Sequence, residues 1–164
     1  MPSLGGPAAA PYPCCVDFTE FDRLVEPMRA RSAAMQAEYG FALIDAHTAS
    51  AQELLEAEER LGATLPSQYK TFMMRYGGGQ FGLIDLLPVT PIRGDDDIVS
   101  VNQREDPAGS FVAIALVGTG DYWGFPVTNG RCSDQVWFHF HDAGDPELAA
   151  NDFLTFLANH GLTY

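Results

Sequence analysis

Clustered carboxylates are the residues of this chain that most plainly invite a chemical interpretation. Asp95, Asp96 and Asp97 are consecutive, and Glu105 and Asp106 follow within ten residues. Such clusters attract cationic partners, and an inhibitor that presents carboxylates to a basic cleft competes electrostatically for it. Asp is also a common turn former in solvated loops. Both interpretations are open from the sequence.

A pair of histidines forms the second candidate. His139 and His141 are two residues apart, which places both on one face of a strand and suits metal ligation. Asp142 or His160 would have to complete such a site, and a metal-dependent enzyme built on these residues is one hypothesis. An isolated His-x-His motif more often consists of ordinary surface or core histidines, so we expect no metal.

Other catalytic signals are weak. The glycine run Gly77–Gly79 lacks the Gly-Lys-Ser/Thr ending of a phosphate loop, and the sequence contains no Gly-x-Ser-x-Gly elbow. Cys14, Cys15 and Cys132 make an odd number without Cys-x-x-Cys spacing, which indicates neither a disulfide framework nor a zinc ribbon. We therefore expect a protein that is not an enzyme and needs no cofactor.

The charge is strongly acidic and uneven. There are 22 Asp and Glu against 9 Lys and Arg, a formal net charge of -13. Residues 85–164 hold twelve of the acids and only three of the bases. Direct nucleic-acid binding is disfavoured, because neutralising phosphates requires clustered Lys and Arg. The excess favours a cationic protein partner, or it serves solubility alone.

The first residues differ in composition from the rest. Residues 1–16 are expected to be a flexible leader, rich in Pro, Gly and Ala, before one domain at 17–164. The leader lacks the basic and apolar regions of a secretory signal. The longest apolar run, Phe111 to Val117, is far shorter than the ~20 residues of a membrane helix. We expect a cytoplasmic protein with reduced thiols and no membrane contact.

Hydrophobic periodicity indicates the elements that position these residues. Four segments have helical spacing, and Ser50 and Glu53 form a capping box at the start of the second. Glu58 falls on the apolar face of that helix, with Leu54, Leu55 and Leu61. A buried carboxylate must find donors, and we expect a bond to the backbone or to Tyr69. Asn151 is expected to cap the last helix, and Gly40, Gly62 and Gly161 to end helices.

One short strand is predicted before the second helix, and the other predicted strands follow the third helix. Predicted strands span 41–44, 81–87, 98–101, 111–117, 122–127 and 135–141. Asn129-Gly130 is typical of a tight turn and predicts an antiparallel pair around it. The order of the elements, with helices first, a meandering sheet next and a closing helix last, predicts an α+β fold. We expect a mainly antiparallel sheet of about five or six strands packed against helices.

Alternation along the strands separates two faces of the predicted sheet. Val136 and Phe138 share one face, while Trp137 and His139 lie on the other. Trp137 is either an exposed docking residue or lies under another helix. Tyr122, next to Asp121 at a glycine-rich turn, is expected to point away from the core face.

The segment 54–79 carries a recognisable signature. Glu58-x-x-Leu61-Gly62, Leu65-Pro66, Tyr69-Lys70-x-Phe72 and Gly77-Gly78-Gly79 resemble, in order and spacing, the central motif of the SUKH superfamily, also called the Smi/Knr family. The later strands and the closing helix are similar too. The resemblance implies a structural role for Glu58, Leu61, Gly62, Leu65, Pro66, Tyr69, Gly77 and Gly78.

The resemblance also implies a function. Bacterial members of the superfamily are commonly immunity proteins that bind and neutralise toxins, many of them nucleases, and yeast members regulate cell-wall synthesis through protein partners. We expect a monomer or weak dimer that neutralises a cognate toxin in a stoichiometric complex. The alternative is a regulatory adaptor for a cellular protein unrelated to toxins. The expected partner-binding residues are Asp95, Asp96, Asp97, Glu105, Asp106, Asp121, Tyr122, Trp137 and His139.

Overall fold

The computed structural model describes residues 15–105, 109–142 and 144–162. Its helices are α1 (Phe18–Tyr39), α2 (Ala51–Leu61), α3 (Ser67–Arg75), α4 (Ile98–Glu105) and α5 (Phe153–His160). Its strands are β1 (Gly79–Phe81), β2 (Ile84–Leu86), β3 (Phe111–Leu116), β4 (Tyr122–Thr128), β5 (Arg131–Cys132), β6 (Val136–His139) and β7 (Glu147–Ala150). The predicted α+β class is confirmed.

The helix ends follow local capping chemistry. Ser50 and Glu53 form the predicted capping box at the start of α2, and Gly62 ends that helix in the left-handed conformation with φ 69°. Helix α5 begins one residue later than predicted, because Asp152, and not Asn151, accepts a hydrogen bond from the Thr155 amide. Before α1, the buried Val16 donates its amide to the Thr155 hydroxyl and so joins the two ends of the described chain.

The strands form one antiparallel sheet in the order β1-β2-β3-β4-β6-β7, and β5 pairs with β4. The predicted turn at Asn129-Gly130 is confirmed, with φ of 51° and 73° at the two residues. It connects β4 to β5, and β6 then pairs antiparallel with β4.

The strand predicted at 98–101 is wrong. These residues begin α4, in which Ile98, Val99, Val101 and Asn102 are buried at helical spacing. The Asn102 side chain donates to the Ala113 carbonyl (2.9 Å) and accepts from the Ala113 amide (2.7 Å), so it pairs with β3 as a strand residue would. A short apolar run does not distinguish a strand from a buried helix turn.

The strand predicted at 41–44 is wrong as well, since Ile44 makes only an isolated bridge to Phe81. Leu55, expected on the apolar face of α2, is 55% exposed, and Ala57 is buried instead. The apolar face of α2 is thus rotated from the position that its leucines predict.

Helices α1, α3 and α5 pack on one face of the sheet, here named the closed face. Phe21 of α1 stacks on Phe81, and Phe153 of α5 lies against Phe125. Tyr69 of α3 contacts Phe125 edge to face at 5.5 Å between ring centroids. These rings are fully buried, so the closed face holds the main hydrophobic core.

Candidate functional site

The opposite face of the sheet, here named the open face, is the candidate functional site. Strand register places its residues together, since Leu116, Tyr122 and His139 are successive partners, as are Gly124, Trp137 and Leu148. Gln80 and Asp85, which are paired across β1 and β2, lie on the same face. The face leaves large apolar side chains in solvent, with Leu116 40% and Leu148 48% exposed.

A cluster of rings occupies the middle of the open face. Tyr122 stacks on His139 with an interplanar angle of 6° and a centroid distance of 5.1 Å, and Phe111 contacts both rings. A Cβ at Gly124 would overlap the Phe111 ring and the Val112 carbonyl, so glycine is needed there. Tyr122 points away from the core face, as expected, but packing against its neighbours leaves it only 9% exposed.

Trp137 lies beside this ring cluster. It shares the open face with His139, as alternation along the strand predicts, while Phe138 contacts Trp123 on the closed face. The Trp137 ring is half-buried, and its Nε1 donates to Gln135 Oε1 at 3.2 Å. A partly exposed Trp held in one orientation is suited to be an interface anchor, because Trp is enriched among residues that dominate binding energy.

At the β1–β2 end, the open face deepens into a groove of about 990 Å³, here named the acidic groove. Its walls are the segment 40–47, the β1–β2 hairpin and the loop 88–96. The carboxylates of Asp45, Asp85 and Asp96 line it, together with Arg93. A neighbouring pocket of about 390 Å³ continues from Asp85 and Asp96 to Leu116, the cross-strand partner of Tyr122.

The glycine run of the sequence signature positions the walls of the groove. A Cβ at Gly77 would overlap the His47 backbone, and a Cβ at Gly78 would lie 2.7 Å from the Pro88 Cα. Gly79 has φ 88° and lies directly against the Asp45 side chain. Bulkier residues at these three positions would push the segment 40–47 and Pro88 away from the glycine run.

The three groove carboxylates differ in their surroundings. Asp45 accepts the Gln80 amide at 2.7 Å, and Asp96 accepts the amides of Ile92 and Arg93 at 2.9 and 3.1 Å. Burial, together with the negative charges of Asp45 and Asp96, raises the pKa of Asp85. A cation placed between these groups would relieve their mutual repulsion.

The structure divides the predicted carboxylate cluster at 95–97. Asp95 is exposed and Asp96 folds the loop, but Asp97 is 2% exposed and accepts the Ser100 amide at the start of α4. Burial works against ionisation of Asp97, yet hydrogen bonds from Ser100 hold its pKa below the usual value. Asp97 is therefore corrected from a surface residue to a helix cap.

Two other predicted carboxylates lie at the start of the same connection to β3. Glu105 ends α4 and is exposed, with its Oε1 3.5 Å from Arg104 Nε. Asp106 lies outside the described residues. The charge of Glu105 is thus partly balanced by its neighbour.

Asp121 joins the loop before β4 to the end of β6. Its oxygens accept the His141 amide (2.9 Å), His141 Nδ1 (2.7 Å) and the Thr119 hydroxyl (2.7 Å). The bonds from His141 and Thr119 lower the pKa of Asp121 to about 2. His139 stacks on Tyr122 instead, and within residues 15–105, 109–142 and 144–162 no group of three or more His, Cys, Asp or Glu could hold a metal ion.

Glu58 links the parts of the sequence signature. Its carboxylate accepts the Leu65 amide at 3.0 Å and pairs with Lys70 at 3.2 Å. The predicted backbone bond is thus observed, while Tyr69 packs between Phe125 and Phe153. Gly62 ends α2 and Leu65, Pro66 and Tyr69 are buried, so these residues fix the α2–α3 corner against the core.

A family model for the SMI1 / KNR4 family (SUKH-1) matches residues 48–159. The chain belongs to this family. The suspected SUKH resemblance is confirmed, and the family is associated with immunity proteins and with protein–protein interaction. A search among curated proteins returned no match to the chain.

The matched range of this SUKH-1 member includes the ring cluster and most of the acidic groove, while Phe41 and Asp45 precede it. In the described part of the chain, no helix is long and apolar enough to cross a membrane.

Asp45 and Asp85 were not predicted from the sequence, nor were the exposed apolar residues Phe41, Leu83 and Ile92 that line the groove. Asp45 and Asp85 are isolated acids in the sequence, forty residues apart, and they meet only because segment 43–47 pairs alongside β1. The available signal was the alternation in β2, where Asp85 stands between the buried Ile84 and Leu86.

Proposed function

We propose that this protein neutralises a cognate bacterial toxin by forming a stoichiometric complex through its open face, without catalysis. The open face supports this proposal, because it combines a half-buried Trp, exposed leucines and an adjoining acidic groove. Interface cores are rich in aromatic residues, and complementary charge accelerates association. Family membership supports an immunity role.

A nuclease toxin fits this surface particularly well. Nucleases need a basic cleft for phosphate, and this chain carries a net charge of -13, most of it in residues 85–164, where twelve acids meet only three bases. A toxin cleft that is covered by the open face would lose access to its substrate. Such a complex should weaken as salt screens the charges.

The test is co-expression with candidate toxins, beginning with any that are encoded beside this gene. We expect growth rescue and a one-to-one complex, and we expect Trp137→Ala to reduce both growth rescue and complex formation. Leu55→Ala serves as the matched control, since Leu55 is exposed on α2, a helix that supplies none of the open-face residues named above. Binding to a cellular protein without protection against any neighbouring toxin would contradict the immunity role and favour the regulatory adaptor.

A further inference from the structure

We propose that the acidic groove binds a protein segment in which a Lys or Arg side chain stands next to an apolar side chain. The partner named under the proposed function would supply this segment, so the inference deepens that proposal. The inference names the side chains of the partner that one end of the open face recognises. The ring cluster does not determine these side chains.

The size of the groove suits a polypeptide segment. Its volume of about 990 Å³ lies at the upper end of the roughly 300–1,000 Å³ of small-ligand pockets. It opens along the sheet toward the pocket that reaches Leu116. Several side chains of a partner can therefore enter together.

The charge of the groove selects a cationic occupant. Asp45, Asp85 and Asp96 contribute three carboxylates, and Arg93 is the one Lys or Arg among its lining residues in the described chain. Asp45 and Asp96 interact electrostatically with Asp85, yet in the described ranges these acids do not form a group that could hold a metal ion. The spread of the carboxylates suits the longer, multidentate side chains of Arg and Lys.

The apolar rim of the groove indicates that the partner segment also carries an apolar side chain. Phe41, Leu83 and Ile92 line it and are 51%, 62% and 44% exposed. Apolar side chains in solvent beside a concave surface are typical of interaction sites. A partner that offered charge alone would leave this rim in water, so we expect the two features to be recognised together.

The experiment titrates the full chain with a short acetylated and amidated peptide in which Arg alternates with Leu. Asp85→Asn and Leu83→Ser test the charge and the rim. Glu59→Gln and Leu55→Ser are matched controls on α2, because Glu59 is exposed and Leu55 is 55% exposed. Unfolding midpoints verify that each variant folds, and Ile92→Ser replaces Leu83→Ser if that variant does not.

We expect each groove variant to weaken peptide binding about fivefold, the size of a well-placed surface ion pair or a modest apolar contact. The α2 controls should change it less than about twofold. A peptide with Ser in place of Leu should bind more weakly, and one with Glu in place of Arg should not bind. Equal affinity for all variants would overturn the inference.

Toxin co-expression separates this inference from the proposed function. Peptide binding lost in the groove variants, without any growth rescue by the wild type, would support the groove and contradict the immunity role. Growth rescue and toxin affinity unchanged by Asp85→Asn and Leu83→Ser would contradict the groove and leave the immunity role standing.

Discussion

On strand β4, Phe125 and Tyr122 point to opposite faces of the sheet and meet different surroundings. Phe125 is fully buried on the closed face, with edge-on or tilted contacts to Tyr69 and Phe153 from two helices. Tyr122 is covered by Phe111 and His139, rings that come from the neighbouring strands β3 and β6 of the same sheet. One face is thus sealed by helices, and the other covers its rings with one another.

This difference indicates that the two faces of the sheet have different roles. The closed face supplies burial, which dominates folding free energy, while the open face keeps Trp137, Leu116 and Leu148 partly in water. Apolar surface left in solvent is a cost to a monomer and a source of binding energy in a complex. We therefore expect substitutions on the two faces to separate stability from binding.

Truncation on the two faces gives the largest contrast. Phe125→Ala should lower the free energy of unfolding by about 3–5 kcal/mol, because it leaves a cavity among packed rings. Trp137→Ala should lower it by about 1–2 kcal/mol, since the ring is half-buried. Denaturant unfolding followed by fluorescence or circular dichroism measures both, and equal losses would show that the open face is as much a core as the closed face.

A loss of intermediate size is expected where α4 replaces a strand beside β3. Asn102→Ala removes both bonds to Ala113 and should cost about 2–3 kcal/mol, because it leaves a buried amide and carbonyl unpaired. Gln103→Ala, at the exposed next position, is the control. If the two variants unfold at the same denaturant concentration, Asn102 does not anchor the helix.

The neighbouring carboxylates Asp97 and Asp95 distinguish acids built into the fold from acids available to a partner. Asp97→Ala should destabilise the protein by about 1–2 kcal/mol through the lost helix cap. Asp95→Ala should change stability by less than about 0.5 kcal/mol, because the residue is exposed. Thermal unfolding of the two variants checks this. A larger loss of stability in Asp95→Ala than in Asp97→Ala would show that Asp97 does not cap the helix.

These cases show how far the sequence determines the structure. Local signals were sufficient for the start of α2 and the turn at 129–130, because a capping box and residues that tolerate positive φ act over a few positions. They failed at 98–101, where the choice between helix and strand depends on the space left beside β3. Local pattern cannot supply that information.

The candidate site was predictable only in part. Alternation placed Trp137 and His139 together, since both lie on one regular strand. The acidic groove needs Asp45, Asp85 and Asp96 from three separate segments, so its existence depends on tertiary pairing. Asp97 was misplaced because a run of three aspartates does not reveal which one turns inward to cap a helix.

The smallest effect is expected at the edge of the open face, where Asp121 bonds His141. The Asp121 pKa is lowered to about 2 and the His141 pKa is raised, each mainly through their hydrogen bonds. The Asp contribution is present above the unfolded pKa near 4 and is lost as pH falls toward 2. The His contribution is present below about 6.5 and is lost as pH rises through the raised folded value.

The stability difference between wild type and Asp121→Asn should therefore be greatest between about pH 4 and 6.5. Urea midpoints across pH 3 to 8 measure it, with Asp134→Asn, an exposed acid, as the control. A difference that stays constant with pH would mean that the pair does not act through its charges.

The most direct test of the open face as a docking surface is methyl cross-saturation in the complex with a toxin that the protein neutralises. Exposed methyl groups lie on both sides of this protein: Leu83, Leu116 and Leu148 border the open face, and Leu55 and Met74 lie on helices α2 and α3. With protonated toxin and deuterated chain, saturation should reach the first three residues and spare the other two. Saturation of Leu55 and Met74 alone would contradict the account.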